Sequence, residues 1–415
     1  MEPVPTLDPR ALESPDSLLL ASQLFDGLVD YQPRTMAVVP AAAARWKIED
    51  QGRRFVFRLR EGMRYHDGSP VRARDFMFAW NRLADPVDAN PYAFLLEAVA
   101  GFDRYRDQVQ VTGMEGLEAP DDRTLVVTLT DPWPEFVALL GHPALSPVPP
   151  SASRPGFARR PVGNGPYRLA APVEPGVPIQ MEAFGRYHGL PPSVARLEFQ
   201  AFADPEEAWP EFVDGDLDIS QIPVAVLPDA VSRYGTRGLV TLARLLYCGF
   251  NLDRARFRDP TLRRAVSIAV DREAIVAEVY GRGAEPAAAF VPPSIPGGGP
   301  GACGAACVHD VERARALIRR LPKGSRSFAL DYATSPVGDL LAATVAAQLE
   351  AVGLDVRPRG HDASEYARLL STGQHEMFCL VWVADLPRQH GFLDPLLRSG
   401  SPDNQAAVDD PRLDE

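Results

Sequence analysis

Residues 328–356 read FALDYATSPVGDLLAATVAAQLEAVGLDV, and this stretch decides the fold class. Its pattern predicts a strand at Phe328–Tyr332, a helix over Asp339–Val352 that stops at Gly353, and a second strand at Leu354–Val356. A strand, a helix and a strand in this order predict parallel pairing with a right-handed crossover. The last third of the chain therefore belongs to the α/β class.

The same mixture of elements extends over the whole chain. Alternating or buried apolar patterns predict strands at Phe55–Leu59, Thr124–Leu129, Ile179–Ala183, Arg196–Phe199 and Met377–Trp382. Helical spacing predicts helices at Ala73–Leu83, Asp204–Asp214 and Ser364–Leu370, and two more that begin at the capping residues Asp259 and Asp271. We expect a mixed α/β chain of several lobes, because 415 residues exceed the usual size of one domain.

Composition narrows the classes of partner. The formal net charge is −12, which disfavours nucleic acid because a duplex binder needs a basic face. No apolar run approaches the length of a membrane-spanning helix. The opening residues MEPVPTLDPR have neither the basic nor the apolar segment of a signal peptide.

Motifs for catalysis or cofactors are weak. A formal GxGxxG occurs at residues 299–304, but it follows a Pro-rich loop rather than a strand, and Pro300 has no amide to offer a phosphate. The histidines form no HExxH pattern, and no GxSxG elbow exists. We therefore predict no enzyme activity, no cofactor and no metal.

The four cysteines fall into two kinds of context. Cys303 and Cys307 share a Gly/Ala loop with His309, where a local disulfide, a metal site or free thiols are all compatible with the spacing. A disulfide is the favoured interpretation in an oxidising compartment. Cys248 and Cys379 lie in strand patterns, and we expect them to be buried, unpaired fillers rather than a bridge.

A set of motifs in a fixed order resembles one known family. The motifs are Leu7–Pro9, Leu24–Leu28, Phe57–Gly62, His66–Val71, Pro161–Tyr167, Phe212–Ile219, Gly249–Asn251, Arg263–Ala265 and Asp271–Arg272. Together they resemble the extracellular solute-binding proteins of family 5, the oligopeptide- and dipeptide-binding proteins of peptide-type ABC transporters. The resemblance covers nearly the whole chain.

The resemblance implies a periplasmic-binding-protein-like α/β fold (type II, three-lobed), with mixed sheets and a ligand cleft between lobes. Lobe I would comprise residues 1–35 and 160–240, lobe II would be the inserted residues 36–159, and lobe III would be residues 241–415. It also implies non-catalytic capture of a short peptide or related solute outside the cytoplasm, hinge closure, monomeric protein and delivery to ABC permease subunits.

The resemblance also implies particular site residues. Asp385 matches the family aspartate that pairs with a peptide's amino terminus, and the neighbouring Trp382 and Ala384 would line the pocket. Tyr92 and Glu13 match positions that face the ligand. Residues expected to brace lobe crossings rather than touch ligand are Phe250, Asn251, Asn164 and Gly165.

The sequence departs from the family pattern where a peptide's carboxyl end is held. Three residues before Trp382, the oligopeptide binders have an arginine, and this chain has Cys379. Relatives of this class also bind nickel chelates, cello-oligosaccharides, opines and haem, so the peptide nature of the ligand stays open.

Two rival functions share the same fold: a ligand-sensing domain of a regulator or receptor, and a biosynthetic accessory or enzyme. The chain opens almost on the Leu7–Pro9 motif and stops within what resembles a late helical segment. We therefore expect a chain shortened at both ends, with apolar surface exposed on lobe I.

Overall fold

A computed structural model describes residue 4 and residues 6–12, 14–33, 35–87, 90–107, 111–240, 242–281, 283–299, 301–384 and 388–414. The chain divides into a first unit, Met1–Ser220, and a second unit, Gln221–Glu415. Each unit has its own sheets and core.

The first unit contains three sheets. Its strands are β1 Val29–Tyr31, β2 Val38–Pro40, β3 Ala43–Glu49, β4 Arg54–Leu59, β5 Leu117–Asp121, β6 Thr124–Thr128, β7 Tyr167–Leu169, β8 Ile179–Ala183 and β9 Arg196–Phe199. β1 pairs with β2, four strands pair in the order β3-β4-β6-β5, and three pair in the order β7-β8-β9. All of these pairings are antiparallel.

The helices of the first unit are α1 Pro15–Leu24, α2 Ala73–Leu83, α3 Phe102–Asp107 and α4 Pro205–Asp214. Helix α2 matches the sequence prediction at both ends. Asp75 caps it by accepting a hydrogen bond from the Arg72 amide, at 2.8 Å. Phe76 and Trp80 on its apolar face are fully buried, and the Trp80 indole N–H donates to the Leu145 carbonyl at 2.8 Å.

The second unit is built on one four-stranded sheet. Its strands are β10 Arg244–Phe250, β11 Ser327–Ala333, β12 Asp355–His361 and β13 Met377–Val383. Its helices are α5 Leu227–Tyr234, α6 Ala255–Arg258, α7 Pro260–Ala269, α8 Arg272–Ile275, α9 Val311–Arg320, α10 Pro336–Glu350, α11 Ala363–Ser371, α12 His390–Leu397 and α13 Pro411–Asp414.

The strand order in this sheet is β10-β13-β11-β12. β11 is parallel to β12 and to β13, and β10 is antiparallel to β13. The predicted parallel pairing of Phe328–Tyr332 with Leu354–Val356 is confirmed. Helix α10 begins at Pro336, three residues before the predicted start, because the Ser335 side chain caps it by accepting from the Gly338 amide.

Two disulfides are present, Cys303–Cys307 and Cys248–Cys379. The expectation that Cys248 and Cys379 are unpaired fillers is wrong. The two residues lie opposite each other in the β10–β13 register, with their Cα atoms 4.1 Å apart. That pairing depends on strands far apart in sequence, so local pattern could not reveal it.

The predicted lobes can be compared with the sheets. The β3-β4-β6-β5 sheet falls within residues 36–159, the β7-β8-β9 sheet within 160–240, and the β10-β13-β11-β12 sheet within 241–415. The lobe boundaries themselves stay a prediction. No helix in the described part of the chain is long and apolar enough to cross a membrane.

Candidate functional site

Trp382 lies near the end of β13, half-buried and held in a fixed orientation. Its indole N–H donates to the Gly391 carbonyl of α12 at 2.8 Å, and it stands opposite Leu245 in the strand pair. A half-buried indole with a satisfied N–H presents a rigid apolar edge. This geometry suits either a wall of a binding pocket or a structural anchor for α12.

A small apolar cluster surrounds Trp382. The cluster comprises Leu245, Val291, Ile295 and Phe392, with Ala243, Tyr247, Phe290, Trp382 and Ala384 packed against it. Trp382 and Cys379 are three residues apart on one strand, so their side chains lie on opposite faces of the sheet. Cys379 faces the main core of the second unit, which is covered by helices.

Cys379 therefore offers neither charge nor a free thiol to a ligand. It is 8% exposed and bonded to Cys248. The structure leaves the position that the family resemblance assigns to a carboxylate-binding arginine without any cationic group.

Phe250 and Asn251 follow at the opposite end of β10. Asn251 is 1% exposed, and its side-chain amide donates to the Gly373 and His375 carbonyls at 3.0 and 3.2 Å. Phe250 packs against Phe257, with ring centroids 5.1 Å apart. These contacts brace the end of β10 inside the second unit, and a role in lobe crossing stays a prediction.

At Asn164 and Gly165 the chain passes close to residues 24–26 of the first unit, and we call this close approach the Asn164 crossing. The Asn164 side chain is fully buried; it accepts from the Asp26 amide and donates to the Asp26 carbonyl, both at 3.0 Å. The Gly165 amide donates to the Leu24 carbonyl at 2.9 Å. A Cβ on Gly165 would lie 2.6 Å from backbone atoms of Leu24 and Phe25, so only glycine fits this approach.

His66 reinforces the crossing from the inserted segment. Its Nδ1 accepts from the Gly163 amide at 3.2 Å, and its Nε2 lies 3.1 Å from the Gly165 carbonyl. The first hydrogen bond requires an unprotonated Nδ1, so the imidazole is neutral and carries its proton on Nε2. Burial lowers the pKa of His66 to about 4.

Asp26 gathers two further side chains at the same crossing. The Tyr187 hydroxyl donates to its Oδ2 at 2.8 Å, and His188 Nε2 lies 3.1 Å from the same oxygen. Burial, followed by the Asp26 charge, raises the pKa of Tyr187. The motif Leu24–Leu28 indicated this region, but no local sequence pattern reveals that Asp26 pairs with Tyr187, which lies 161 positions later.

Tyr92 lies elsewhere in the first unit and is 8% exposed. Its ring contacts His142, with centroids 4.4 Å apart. His142 is almost wholly buried; its Nδ1 accepts from the Ala144 amide at 3.2 Å, and burial lowers its pKa to about 3. The proposed ligand contact of Tyr92 stays a prediction, and any such contact would involve a small part of the side chain.

A buried charge network in the second unit was not predicted. Asp331 on β11 is fully buried and accepts from Arg359 Nε and Nη2 at 2.9 Å each, from His361 Nε2 at 3.0 Å and from the Glu376 amide at 3.1 Å. Burial raises the pKa of Asp331, but these hydrogen bonds outweigh it and hold the pKa below its usual value. The network joins β11 and β12 to the residue that precedes β13.

Two predicted ligand residues, Glu13 and Asp385, lie outside the described residues. Among the residues that the structure does describe, no group of three or more His, Cys, Asp or Glu side chains could hold a metal ion. Of the predicted site residues that the structure describes, Trp382 and Ala384 lie in the second unit, and Tyr92, Asn164 and Gly165 lie in the first.

The sequence also matches the model of a known family. The sequence model for bacterial extracellular solute-binding proteins, family 5, matches residues 37–404. The chain belongs to this family. The family resemblance inferred from the ordered motifs is thus confirmed, together with the fold class.

Individual relatives agree. The probable deoxycholate-binding periplasmic protein YgiS of Escherichia coli is 33% identical over 308 residues, which cover 70% of this chain and 56% of YgiS. The dipeptide-binding protein DppE of Bacillus subtilis is 30% identical over 290 residues, which cover 66% of this chain and 51% of DppE. These alignments thus span little more than half the length of either relative.

Solved structures are similar over the full chain. The Haemophilus influenzae OppA complex with the peptide RPPGFSPFR has a TM-score of 0.77 and 25% identity, with 100% of this chain and 84% of that chain covered. The mixed sheets of this chain are therefore those of the periplasmic peptide-binding fold.

Proposed function

We propose that this protein is a non-catalytic solute receptor that captures a short peptide and delivers it to an ABC-type importer. The observation that carries the proposal is the similarity of the whole chain to OppA in complex with a peptide, together with the family match over residues 37–404. The receptor would act outside the cytoplasm as a monomer, with permease subunits as its membrane partners.

The site residues support this proposal in a specific way. Trp382 and the apolar cluster around it supply a wall of the kind that a peptide side chain contacts. We assign Asp385 to the ammonium group of the ligand, with Ala384, Tyr92 and Glu13 as further contacts. The tight crossing at Asn164 and Gly165 would act as a fixed pivot rather than as a contact surface.

A second candidate ligand follows from one observation. YgiS, named as a probable deoxycholate-binding protein, is 33% identical to this chain. Deoxycholate and a peptide with an apolar terminal residue share one chemistry, a carboxylate on an apolar body. The ligand class is therefore an amphipathic carboxylate in both cases, and the amino group distinguishes them.

The test begins with native mass spectrometry of the purified protein, since a closed receptor retains its ligand. Calorimetric titration with a pool of di- to pentapeptides, and separately with deoxycholate, then measures affinity. We expect peptide binding that Asp385→Asn weakens by roughly tenfold or more, because an ammonium loses its charged partner. Asp362→Asn is the matched control, because Asp362 is an exposed helix cap and asparagine caps equally well.

The outcomes separate the alternatives. If deoxycholate binds and Asp385→Asn leaves its affinity unchanged, the ligand is a bile-acid-like solute rather than a peptide. Turnover of a bound ligand into product would favour the enzymatic rival. Failure to bind or co-purify with any of these solutes would refute the proposed function.

A further inference from the structure

Residues 284–299, here called the loop segment, form one side of the apolar cluster around Trp382. The structure describes all of them, and they contain neither helix nor strand. Val291 and Ile295 are 8% and 3% exposed and supply two of the four buried side chains that the structure describes in this cluster. Phe290 packs against the same cluster. The shape of this apolar wall therefore depends on how firmly the loop segment is held.

Backbone hydrogen bonds hold the loop segment weakly. Two of them close short turns within it, from the Ile295 amide to the Pro292 carbonyl at 3.0 Å and from the Gly298 amide to the Ile295 carbonyl at 2.8 Å. Within the described part of the chain, a single backbone hydrogen bond joins the segment to residues beyond it. In this bond the Cys303 amide donates to the Ala288 carbonyl at 3.0 Å. Movement of Cys303 would therefore release Ala288.

The residues beside Cys307 are fixed to a well-packed helix. The Ser267 hydroxyl of α7 donates to the Ala306 carbonyl at 2.6 Å. The Asp310 amide donates to the Ile268 carbonyl, also on α7, at 2.8 Å. The apolar face of α7 is buried in the main core of the second unit. Cys307 therefore stands on the fixed side of its disulfide.

The disulfide is the firm connection between these two parts. Residues 301–306 read GACGAA and form one 3₁₀ turn at Gly304–Ala306. A single turn of this kind is marginal, and the glycines at 301 and 304 raise the entropy that its ordering costs. The Cys303–Cys307 bond closes the turn covalently and so fixes residue 303 relative to α7.

The same bond is open to reduction. Cys303 and Cys307 are only partly buried, and the residues beside them at positions 302, 304, 306 and 308 are exposed. An accessible disulfide that closes a short loop is the kind that a thiol reductant attacks readily. Cys379 of the other disulfide is 8% exposed, and its bond lies between two paired strands, so that bond should react more slowly.

We propose that the Cys303–Cys307 disulfide is a redox switch for solute capture. An external dithiol attacks one sulfur through a mixed disulfide, transfers two electrons and two protons to the bond, and leaves as a disulfide while both cysteines become thiols. Residue 303 then loses its fixed position, the loop segment loosens, and Val291 and Ile295 no longer complete the apolar wall. The effect on affinity rests on the proposed function, whereas the loosening of the segment does not.

The first measurement is hydrogen–deuterium exchange of the ligand-free protein, read by mass spectrometry of peptides that cover the loop segment. It compares oxidised wild type, wild type treated with dithiothreitol, and Cys303→Ser/Cys307→Ser. We expect the segment's amides to exchange severalfold faster in the last two, because residue 303 is released. Equal exchange of the segment in all three proteins would overturn the inference.

The matched control keeps the local disulfide and removes the long-range one. Cys248→Ser/Cys379→Ser should respond to dithiothreitol as the wild type does, whereas Cys303→Ser/Cys307→Ser should show no further response. Alkylation with iodoacetamide before digestion shows which bond each treatment has opened. A response in Cys303→Ser/Cys307→Ser as large as in the wild type would assign the effect to Cys248–Cys379 and overturn the inference.

The second measurement is calorimetric titration with the pool of di- to pentapeptides and, separately, with deoxycholate. We expect reduced wild type and Cys303→Ser/Cys307→Ser to bind roughly threefold to tenfold more weakly than oxidised wild type, because a smaller fraction of the protein has the apolar wall in place. Reoxidation of the wild type should restore its affinity.

The two possible failures are distinct. If oxidised wild type binds a solute and Cys303→Ser/Cys307→Ser binds it equally well, the redox switch is refuted and the proposed function stands. If no protein binds any of these solutes, the proposed function is refuted, and the effect on affinity with it.

Discussion

Cys248 and Cys379 face each other across antiparallel strands, and their disulfide closes a stretch of 131 residues. The bond ties β10, an edge strand with β13 as its one neighbour in the sheet, to the centre of the second unit. The other disulfide, Cys303–Cys307, links residues four positions apart. The two bonds therefore differ greatly in how far each restricts the unfolded chain.

Removing the long-range disulfide should cost more stability than removing the local one. The free energy of unfolding should fall by about 3–5 kcal/mol in Cys248→Ser/Cys379→Ser, and by about 2 kcal/mol or less in Cys303→Ser/Cys307→Ser, because loop-closure entropy grows with loop length. Urea unfolding with and without reductant measures both. Equal losses in the two double variants would contradict this expectation.

A methyl group at the Asn164 crossing should disrupt the first unit. Gly165→Ala places a Cβ 2.6 Å from the backbone of Leu24 and Phe25. The two segments would have to move apart to make room for it, and this movement would break the Gly165–Leu24 hydrogen bond. We expect a loss of at least about 2–4 kcal/mol or failure to fold.

The matched control for this variant is Gly185→Ala. A Cβ on Gly185 meets no atom within 4 Å, and its φ is not positive. Thermal unfolding of both variants is the measurement, and a Gly165→Ala protein as stable as Gly185→Ala would show that the close approach is not required.

Acid should destabilise the first unit through His66. Its pKa is about 4 in the fold and near 6.5 when unfolded, so the unfolded chain binds more protons between these values. The contribution of neutral His66 to the free energy of unfolding is fully present above about pH 6.5, and the free energy falls by roughly 3 kcal/mol as the pH drops to 4. His142, with a pKa of about 3, adds to the loss at lower pH.

Urea unfolding across this pH range in a Trp382→Phe background measures the effect, because the other tryptophans all lie in the first unit. His66→Gln should have a lower free energy of unfolding than its parent at neutral pH, and that free energy should fall less on acidification. His309→Gln, in the second unit, should behave like its parent. Parallel losses in His66→Gln and its parent would exclude His66 as the source.

Asp331→Asn should destabilise the second unit by about 1–3 kcal/mol, because the fully buried position loses charge-assisted hydrogen bonds, while the half-exposed Arg359 side chain stays solvated. Asp355→Asn, an exposed residue of β12, is the control and should cost less than about 1 kcal/mol. Because the pKa of Asp331 is lowered, its contribution is present above pH 4 and is lost as the pH falls further. Chemical unfolding monitored by far-ultraviolet dichroism checks both statements.

Ligand binding should change the fluorescence of Trp382. Its indole is fixed by the hydrogen bond to Gly391 and stays half-buried, so a solute against the ring alters its surroundings. Trp382→Phe should abolish most of the ligand-induced change. Trp46→Phe, in the first unit on β3, is the control and should leave the change in place.

The local elements of this fold were predictable from sequence because their determinants are local. Helix α2 follows from apolar spacing, and the β11–α10–β12 unit follows from its two strand patterns and the glycine after the helix. The start of α10 was misjudged because Ser335 and Pro336 extend the helix beyond the apolar stripe. Capping chemistry, rather than hydrophobic spacing, sets that boundary.

The candidate site was less predictable because its contacts join distant segments. The family resemblance named Asn164 and Trp382, and the structure shows how each is held. Strand register determines that Cys248 pairs with Cys379 and that Asp331 is buried. The hydrogen bonds of His66 to residues 163 and 165 depend on how closely two loops approach each other. A single sequence does not display those relationships.

The Asn164–Asp26 contact also determines how late during protein synthesis the first unit can finish folding. The two residues are 138 positions apart, so the first unit cannot close its crossing until the ribosome has made and released the intervening segment. At roughly 5–20 residues per second, that interval is on the order of ten seconds. During this time α1 lacks β7, the strand against which it packs in the finished unit, and the nascent chain stays open to any factor that binds unfolded protein.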